Sequence, residues 1–233
     1  MSSAPGHIPR RGLDRPPIAA VIFDFDGVLA DTERLHLAAF QTVFAARGWP
    51  LDEATYFERY LGCDDRGLVV TFARDKRLTI GDADLRQLVE AKENAFAQHL
   101  ASGEVLFPNA KACVERMAGR YTLGIASGAA RVEILTILEA GGLRARFPVV
   151  VAAEDVSATK PDPEPYLRAA RGLGIMPRAC LAVEDSTPGL AAARAAGMRT
   201  VGITTTLSRQ RLGGADQVID DLSELSLEMV AAL

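Results

Sequence analysis

A chain of 233 residues, 48% of them hydrophobic, can bury one large core or a core carrying a smaller inserted unit, which excludes a disordered polypeptide. Its 26 basic and 30 acidic residues leave a net charge of -4 spread along the chain, with no basic stripe to hold a nucleic-acid backbone. No apolar run approaches the roughly 20 residues that cross a bilayer, and the N-terminus lacks the apolar stretch of a signal peptide, so a cytoplasmic protein without a membrane partner is expected.

Residues 1–17 mix Pro, Gly, Ser and Arg without periodicity and read as a loose tail. The run Ala19 to Phe23 then reads as a buried strand entering an acidic loop. Similar runs recur at Tyr121 to Ala126, Val149 to Ala153, Cys180 to Val183 and Thr200 to Ile203, with helical patterns between them; Gln217 to Ile219 adds an edge strand. This alternation predicts an α/β fold with a doubly wound parallel sheet.

Between the first and second strands the pattern is helical throughout, at Thr32 to Arg47, Asp52 to Tyr60, Arg66 to Arg74 and Asp82 to Leu100, the last stopped near Gly103. Residues 32–107 are therefore expected to form an inserted α-helical cap, and 18–31 with 108–233 the core domain. The connections near Ala30 and near Glu104 to Pro108 would act as a hinge that lets the cap close and exclude water. A helix over Ala110 to Gly119 returns the chain to the sheet. Cys63, Cys113 and Cys180 lack paired spacing and are expected to be reduced, mostly buried thiols. With no long heptad pattern, a monomer is expected.

Four segments lie at carboxyl ends of predicted strands or in the loops after them, where doubly wound sheets place ligands. In Asp24-Phe25-Asp26-Gly27, Asp24 is expected to be ionised at neutral pH and able to attack phosphorus, with Asp26 placed to move a proton. Ser127 and Gly128 follow the second strand and can offer a hydroxyl and N–H groups to phosphate oxygens. In Lys160-Pro161, the proline keeps the lysine backbone extended, so its ammonium can be aimed. Glu184 and Asp185 bring two carboxylates together, which implies a cation, and hard oxygen donors suit Mg2+. Each segment also has a purely structural account: an acidic turn with Asp31 capping the next helix, Ser127 as a helix N-cap, Lys160 as an exposed loop lysine, and an acidic helix start after Val183.

In this order, the four segments resemble the motifs of the haloacid dehalogenase superfamily of phosphatases and phosphomutases. The resemblance implies Asp24 as nucleophile, Asp26 as general acid/base, Ser127, Gly128 and Lys160 as phosphate ligands, and Mg2+ held by Asp24, Glu184, Asp185 and the Asp26 carbonyl. The insertion point is similar to that of the helically capped subgroup containing β-phosphoglucomutase and phosphoglycolate phosphatase. It implies substrate contacts from His36, Lys92 and Arg66, although an acid stands where the mutase pattern has arginine and Arg66 comes one position later. The expected activity is hydrolysis of a small phosphate monoester, with a phosphosugar mutase as the alternative.

Overall fold

In the computed structural model, which describes residues 16–61, 63–100 and 105–233, the apolar runs form strands β1 (Ala20–Phe23), β2 (Thr122–Ala126), β3 (Val149–Val151), β4 (Cys180–Glu184), β5 (Arg199–Ile203) and β6 (Gln217–Ile219). They make one parallel sheet in the order β3-β2-β1-β4-β5-β6. Both faces are covered, which is why the central strands read as continuous apolar runs. Val21, Phe23, Leu123, Ile125, Leu181 and Val183 pack against helices α5 (Ala110–Ala118) and α6 (Arg131–Ala140). The alternate residues Ala20, Ile22, Ala126, Cys180 and Ala182 face helices α7 (Glu164–Leu173) and α8 (Thr187–Ala195). The short helix α9 (Leu227–Ala232) packs Val230 into the first of these faces.

Helices α1 (Glu33–Ala45), α2 (Glu53–Arg59), α3 (Asp65–Asp75) and α4 (Asp82–Leu100) fill the interval between β1 and α5. They enclose an apolar cluster of their own, built on Leu37, Phe40, Phe44, Tyr56, Tyr60, Phe72 and Leu88. Within it the Phe44 and Phe72 rings lie 4.4 Å apart. The chain leaves and re-enters the sheet side by side: Asp31 N–H donates to the Val105 carbonyl (2.8 Å) and Phe107 N–H to the Leu29 carbonyl (3.0 Å).

Several expectations need correction. The strand expected through Ala153 ends at Val151, and Ala153–Asp155 turn as a short 3-10 segment. Helices α7 and α8, expected over Tyr166 to Leu173 and Leu190 to Ala196, begin at Glu164 and Thr187, because prolines at their first turns fix a helical φ without needing an N–H partner. Helices α6 and α9 were not delimited by the sequence pattern; α6 starts after Ala130, which offers no capping side chain. Of the cysteines, Cys113 and Cys180 are buried but Cys63 is exposed. The tail is tied at its end, where Arg199 donates to the Pro16 carbonyl (2.6 Å); residues 1–15, Gly62 and 101–104, with the expected helix stop at Gly103 and the Glu104 end of the expected hinge, lie outside the described residues. Among the described residues no helix is long and apolar enough to cross a membrane.

Candidate active site

The strand order reverses direction between β1 and β4, and such a switch point opens a crevice at the carboxyl ends of the strands. Register puts Phe23 beside Val183, so Asp24 leaves β1 next to Glu184, the last residue of β4, and Asp185. Asp24 N–H still donates to the Val183 carbonyl (2.9 Å), which holds its side chain at the sheet edge. Ser127 follows β2, anchored by its N–H to the Val151 carbonyl (3.0 Å), and Lys160 arrives from the loop between β3 and α7. The sheet thus gathers Asp24, Ser127, Lys160 and Asp185, with Gly128, on the wall of one cavity of ≈ 1930 Å³.

Lys160 carries the positive charge at this wall. Its Nζ lies 2.8 Å from Asp24 Oδ1 and 2.6 Å from Glu184 Oε1, and 5.2 Å from the centre of the Tyr166 ring. Burial opposes its charge, but Asp24 and Glu184 outweigh burial and hold it well above the usual lysine range. The exposed loop lysine is thereby excluded: the side chain is 13% accessible. Glu184 is fully buried. Its Oε1 accepts from Lys160 and from the Tyr166 hydroxyl (2.9 Å), and its Oε2 accepts from Asp185 N–H, Ser186 N–H and Ser186 Oγ. Gly189 is required behind it, since a Cβ there would stand 1.7 Å from Glu184 Oε1. Ser186 does cap α8, accepting from Gly189 N–H, so the helix start and the acidic pair coexist.

In the protein alone, Asp24 is poised near neutral pH instead of titrating in the ordinary carboxylate range. Burial pushes its carboxyl up to about 7; Lys160 opposes this, while Glu184 and Asp26 add to it. Asp185 is raised well above the carboxylate range, by burial first and then by Glu184 and Asp24. Oxygens of Asp24, Glu184 and Asp185 lie within 4.8 Å of one another, all buried. Asp24 Oδ1 contacts Lys160 as an ion pair without hydrogen-bond geometry and has no hydrogen-bond partner among the described residues. Crowded hard-oxygen donors that resist ionising together fit a divalent cation such as Mg2+.

Asp26 sits in the turn after Asp24. The Thr32 hydroxyl donates to its Oδ1, so Thr32, formally the N-cap of α1, makes no capping bond. Burial lifts Asp26 to about 6, with the Thr32 bond opposing. Gly27 takes φ +75°, and a Cβ there would lie 2.0 Å from Asp185 Oδ2, so the turn can close against Asp185 only with glycine. The Thr205 hydroxyl fixes the Gly27 carbonyl, and Thr206 bonds Asp185. Ser127 is not a helix cap, since α6 begins four residues later; its buried Oγ accepts from Ala129 N–H (3.1 Å). Gly128 is exposed, with open space where a Cβ would stand.

The helical insert supplies the opposite wall. Lys92 is completely buried and donates to Asp65 Oδ2 and to His36 Nδ1, each at 2.7 Å, with the Phe40 and Phe96 rings around it. A lysine donates only, so His36 Nδ1 accepts and its hydrogen sits on Nε2. Burial and then Lys92 hold His36 down at about 3, so the ring is neutral, stacked 4.4 Å from Phe96 and lining the cavity. Lys92 is therefore no solvated helix lysine, and it does not itself line the cavity. Arg66 does, from an exposed position at the mouth. Sequence reasoning did not assign Thr32, Tyr166, Thr206, Glu33 or Glu133 to the site, and met Asp65 only as the acid standing where the mutase pattern has arginine; none of them carries a local sign of its partners.

Residues 21–203 match the family model of the haloacid dehalogenase-like hydrolases. The chain belongs to this family. Protein CbbY of Rhodobacter capsulatus is 35% identical over 226 residues, covering 93% of this chain and 99% of that protein. A phosphorylated carbohydrates phosphatase of Thermotoga maritima is 32% identical, over 81% of this chain and 87% of its own. The crystal structure of a CbbY mutant from Rhodobacter sphaeroides in complex with xylulose-(1,5)bisphosphate superposes with a TM-score of 0.82 at 30% identity, covering 91% of this chain and 99% of that one. Phosphatases recur among these family relatives, and the chain is an enzyme of the phosphoric monoester hydrolase type.

Proposed function

We propose that this enzyme is a magnesium-dependent phosphatase that hydrolyses a small phosphate monoester, a sugar phosphate or similar metabolite, through a phosphoryl group carried on Asp24. The reading rests chiefly on one observation: buried Asp24 stands between Lys160 and Asp185 at the mouth of the sheet crevice, with a second acid, Asp26, two residues on. The relatives named as acting on phosphorylated carbohydrates or binding a xylulose bisphosphate support the substrate class.

An Asp24 oxygen attacks phosphorus and the ester P–O bond breaks; Asp26, raised to about 6, gives its proton to the departing oxygen. Asp26 then takes a proton from water, whose oxygen attacks the same phosphorus, and the bond to Asp24 breaks to release phosphate. Lys160, Ser127 and the Gly128 backbone hold the phosphoryl oxygens throughout. Mg2+ would be held by Asp24, Asp185 and the Asp26 carbonyl with Glu184 behind them, and would neutralise charge on the transferring group and keep Asp24 ionised. Glu184 already receives five donors, so its first task is to position Lys160 and α8. Residues 32–107 act as a cap that closes on the core about the paired connections at Ala30 and Leu106. The same reading takes the chain to work as a cytoplasmic monomer on a diffusible ester.

Hydrolysis is favoured over a mutase reaction because the buried Lys92 is committed to Asp65 and His36, leaving no free buried cation among the described residues of the cap to grip a phosphate while the sugar turns over. Purified protein with Mg2+ should release inorganic phosphate from p-nitrophenyl phosphate and from members of a sugar-phosphate panel, and Asp24→Asn should lower kcat by several orders of magnitude. Turnover surviving in Asp24→Asn would reject the covalent route, and isomerisation of β-glucose 1-phosphate without phosphate release would favour the mutase.

A further inference from the structure

The cavity has two ends of different character. At the sheet end lie Lys160 and the acids proposed to hold Mg2+. The inner surface of the helical end carries Glu33, Asp65 and the neutral His36, and Glu133 on α6 completes it from the core side. The charges at this end do not balance. Lys92 is the one lysine or arginine fully buried there among the described residues, and Asp65 neutralises it at 2.7 Å while it also donates to His36. Glu33 receives the Tyr56 hydroxyl (2.8 Å), an uncharged donor, and Glu133 has no ion pair among the described residues. The remaining cations that line the cavity beyond Lys160, namely Arg66, Lys111 and Arg211, are all exposed at its mouth, where exposed acids such as Asp64 and Glu93 accompany them and salt screens both signs.

A phosphate placed at this inner end would face carboxylates with no unspent cation, in surroundings where like charges repel strongly. Sugar hydroxyls, by contrast, donate readily to Glu33, Asp65 and Glu133, and His36 Nε2–H offers one donor to a substrate oxygen without adding charge. We propose that the substrate carries a single phosphate on an uncharged, hydroxyl-bearing body, and that Glu33, Asp65 and Glu133 exclude a second phosphate from the helical end of the cavity. This selectivity rests on the phosphatase reading, and it makes these carboxylates specificity determinants for the same site. It also separates this chain from the similar CbbY crystallised with a bisphosphate.

The test compares kcat/KM for fructose 1-phosphate, fructose 6-phosphate and fructose 1,6-bisphosphate with Mg2+ at pH 8, where phosphates and carboxyls are ionised. The wild type should favour the better monophosphate over the bisphosphate by roughly tenfold or more. Glu133→Gln, which removes one facing charge, and Asp65→Asn, which releases the charge of Lys92, should each raise the bisphosphate-to-monophosphate ratio by roughly tenfold. Glu139→Gln, on the exposed side of α6, should leave the ratio unchanged. Circular dichroism and melting curves identify any variant that fails to fold, and the other then carries the test. A wild-type ratio at or above one, or ratios unmoved in both folded variants, would overturn the proposal while leaving the phosphatase reading intact. A marked preference for glucosamine 6-phosphate over glucose 6-phosphate would overturn the uncharged body in favour of a cationic one. Absence of phosphate release from every ester would instead defeat the parent reading.

Discussion

Asp24→Asn offers a measurement of the electrostatic load at the site that needs no substrate. In the protein without metal, burial holds the Asp24 carboxyl at about 7 against an ordinary 3.8, so the folded state binds more protons than the unfolded chain between roughly pH 4 and pH 7. Stability should therefore fall as pH rises through that window and level off above it. Taken alone, the rise corresponds to on the order of 4 kcal/mol; shared with Asp185 and offset by the lost Lys160 contact, a net of about 1–3 kcal/mol is expected. In a chain of 233 residues each kcal/mol moves Tm by about 2–4 °C. In EDTA at pH 8, Asp24→Asn should then melt roughly 3–10 °C above the wild type, and the gap should shrink toward pH 5, where the Asp24 carboxyl of the folded wild type is protonated and its charge no longer opposes folding. Added Mg2+ should stabilise the wild type by about 2.7 kcal/mol at a hundredfold excess over Kd, more at pH 8 than at pH 5, and the variant much less. Equal melting of the two metal-free proteins at pH 8, or a Mg2+ effect indifferent to both pH and the substitution, would refute the reasoning.

Other substitutions probe the supports of the site. Gly27→Ala would drive a Cβ to 2.0 Å from Asp185 Oδ2 at φ +75°, so kcat/KM should drop by about a hundredfold and the fold lose roughly 1–3 kcal/mol; steady-state kinetics within twofold of the wild type would show that Asp185 need not stay where it is. Lys92→Met strands Asp65 and frees His36, and should cost about 3–5 kcal/mol by denaturant unfolding. In the same variant, NMR titration should find His36 above its value of about 3 but short of 6.5, because burial, the larger cause, remains. Phe72→Ala opens a cavity beside Phe44 in the helical cluster and should cost about 3–5 kcal/mol, read from chemical unfolding.

The sheet was legible because its strands are buried on both faces and flanked by helices, which leaves continuous apolar runs such as Val21 to Phe23. Helix ends were less so: the prolines at the starts of α7 and α8 read equally well as loop. The sheet-side wall could be anticipated because Asp24, Ser127 and Asp185 each follow directly on a strand end, and parallel topology brings such ends to one edge. The helical wall was anticipated only through the resemblance, which named His36, Lys92 and Arg66 but not the partners that hold them. Lys92, Asp65 and His36 come from three different helices, and nothing in the periodicity of α4 distinguishes a lysine that is wholly buried from one that is solvated. The raised pKa of Asp24 was not legible for a related reason, since it depends on burial and on how many acids the fold packs around it.

That packing itself bears on function. Asp24, Glu184 and Asp185 share one buried cluster with a single lysine, so the group carries an excess of negative charge in a place where apolar side chains would fold more stably. If the cluster served structure, its carboxylates would be expected to end on donors. Glu184 does so, with five. Asp24 Oδ1 does not, and the raised pKa values of Asp24 and Asp185 express the same deficit. The fold has thus given five donors to the residue that holds the lysine and far fewer to the two that face the crevice, where Asp185 accepts from Thr206 and Asp24 Oδ1 meets the Lys160 ammonium. An arrangement that tolerates strain at those two oxygens makes sense where an incoming cation and a phosphoryl group relieve it, which is why the metal-linked stability of Asp24 is the measurement that most directly separates an active centre from an acidic turn.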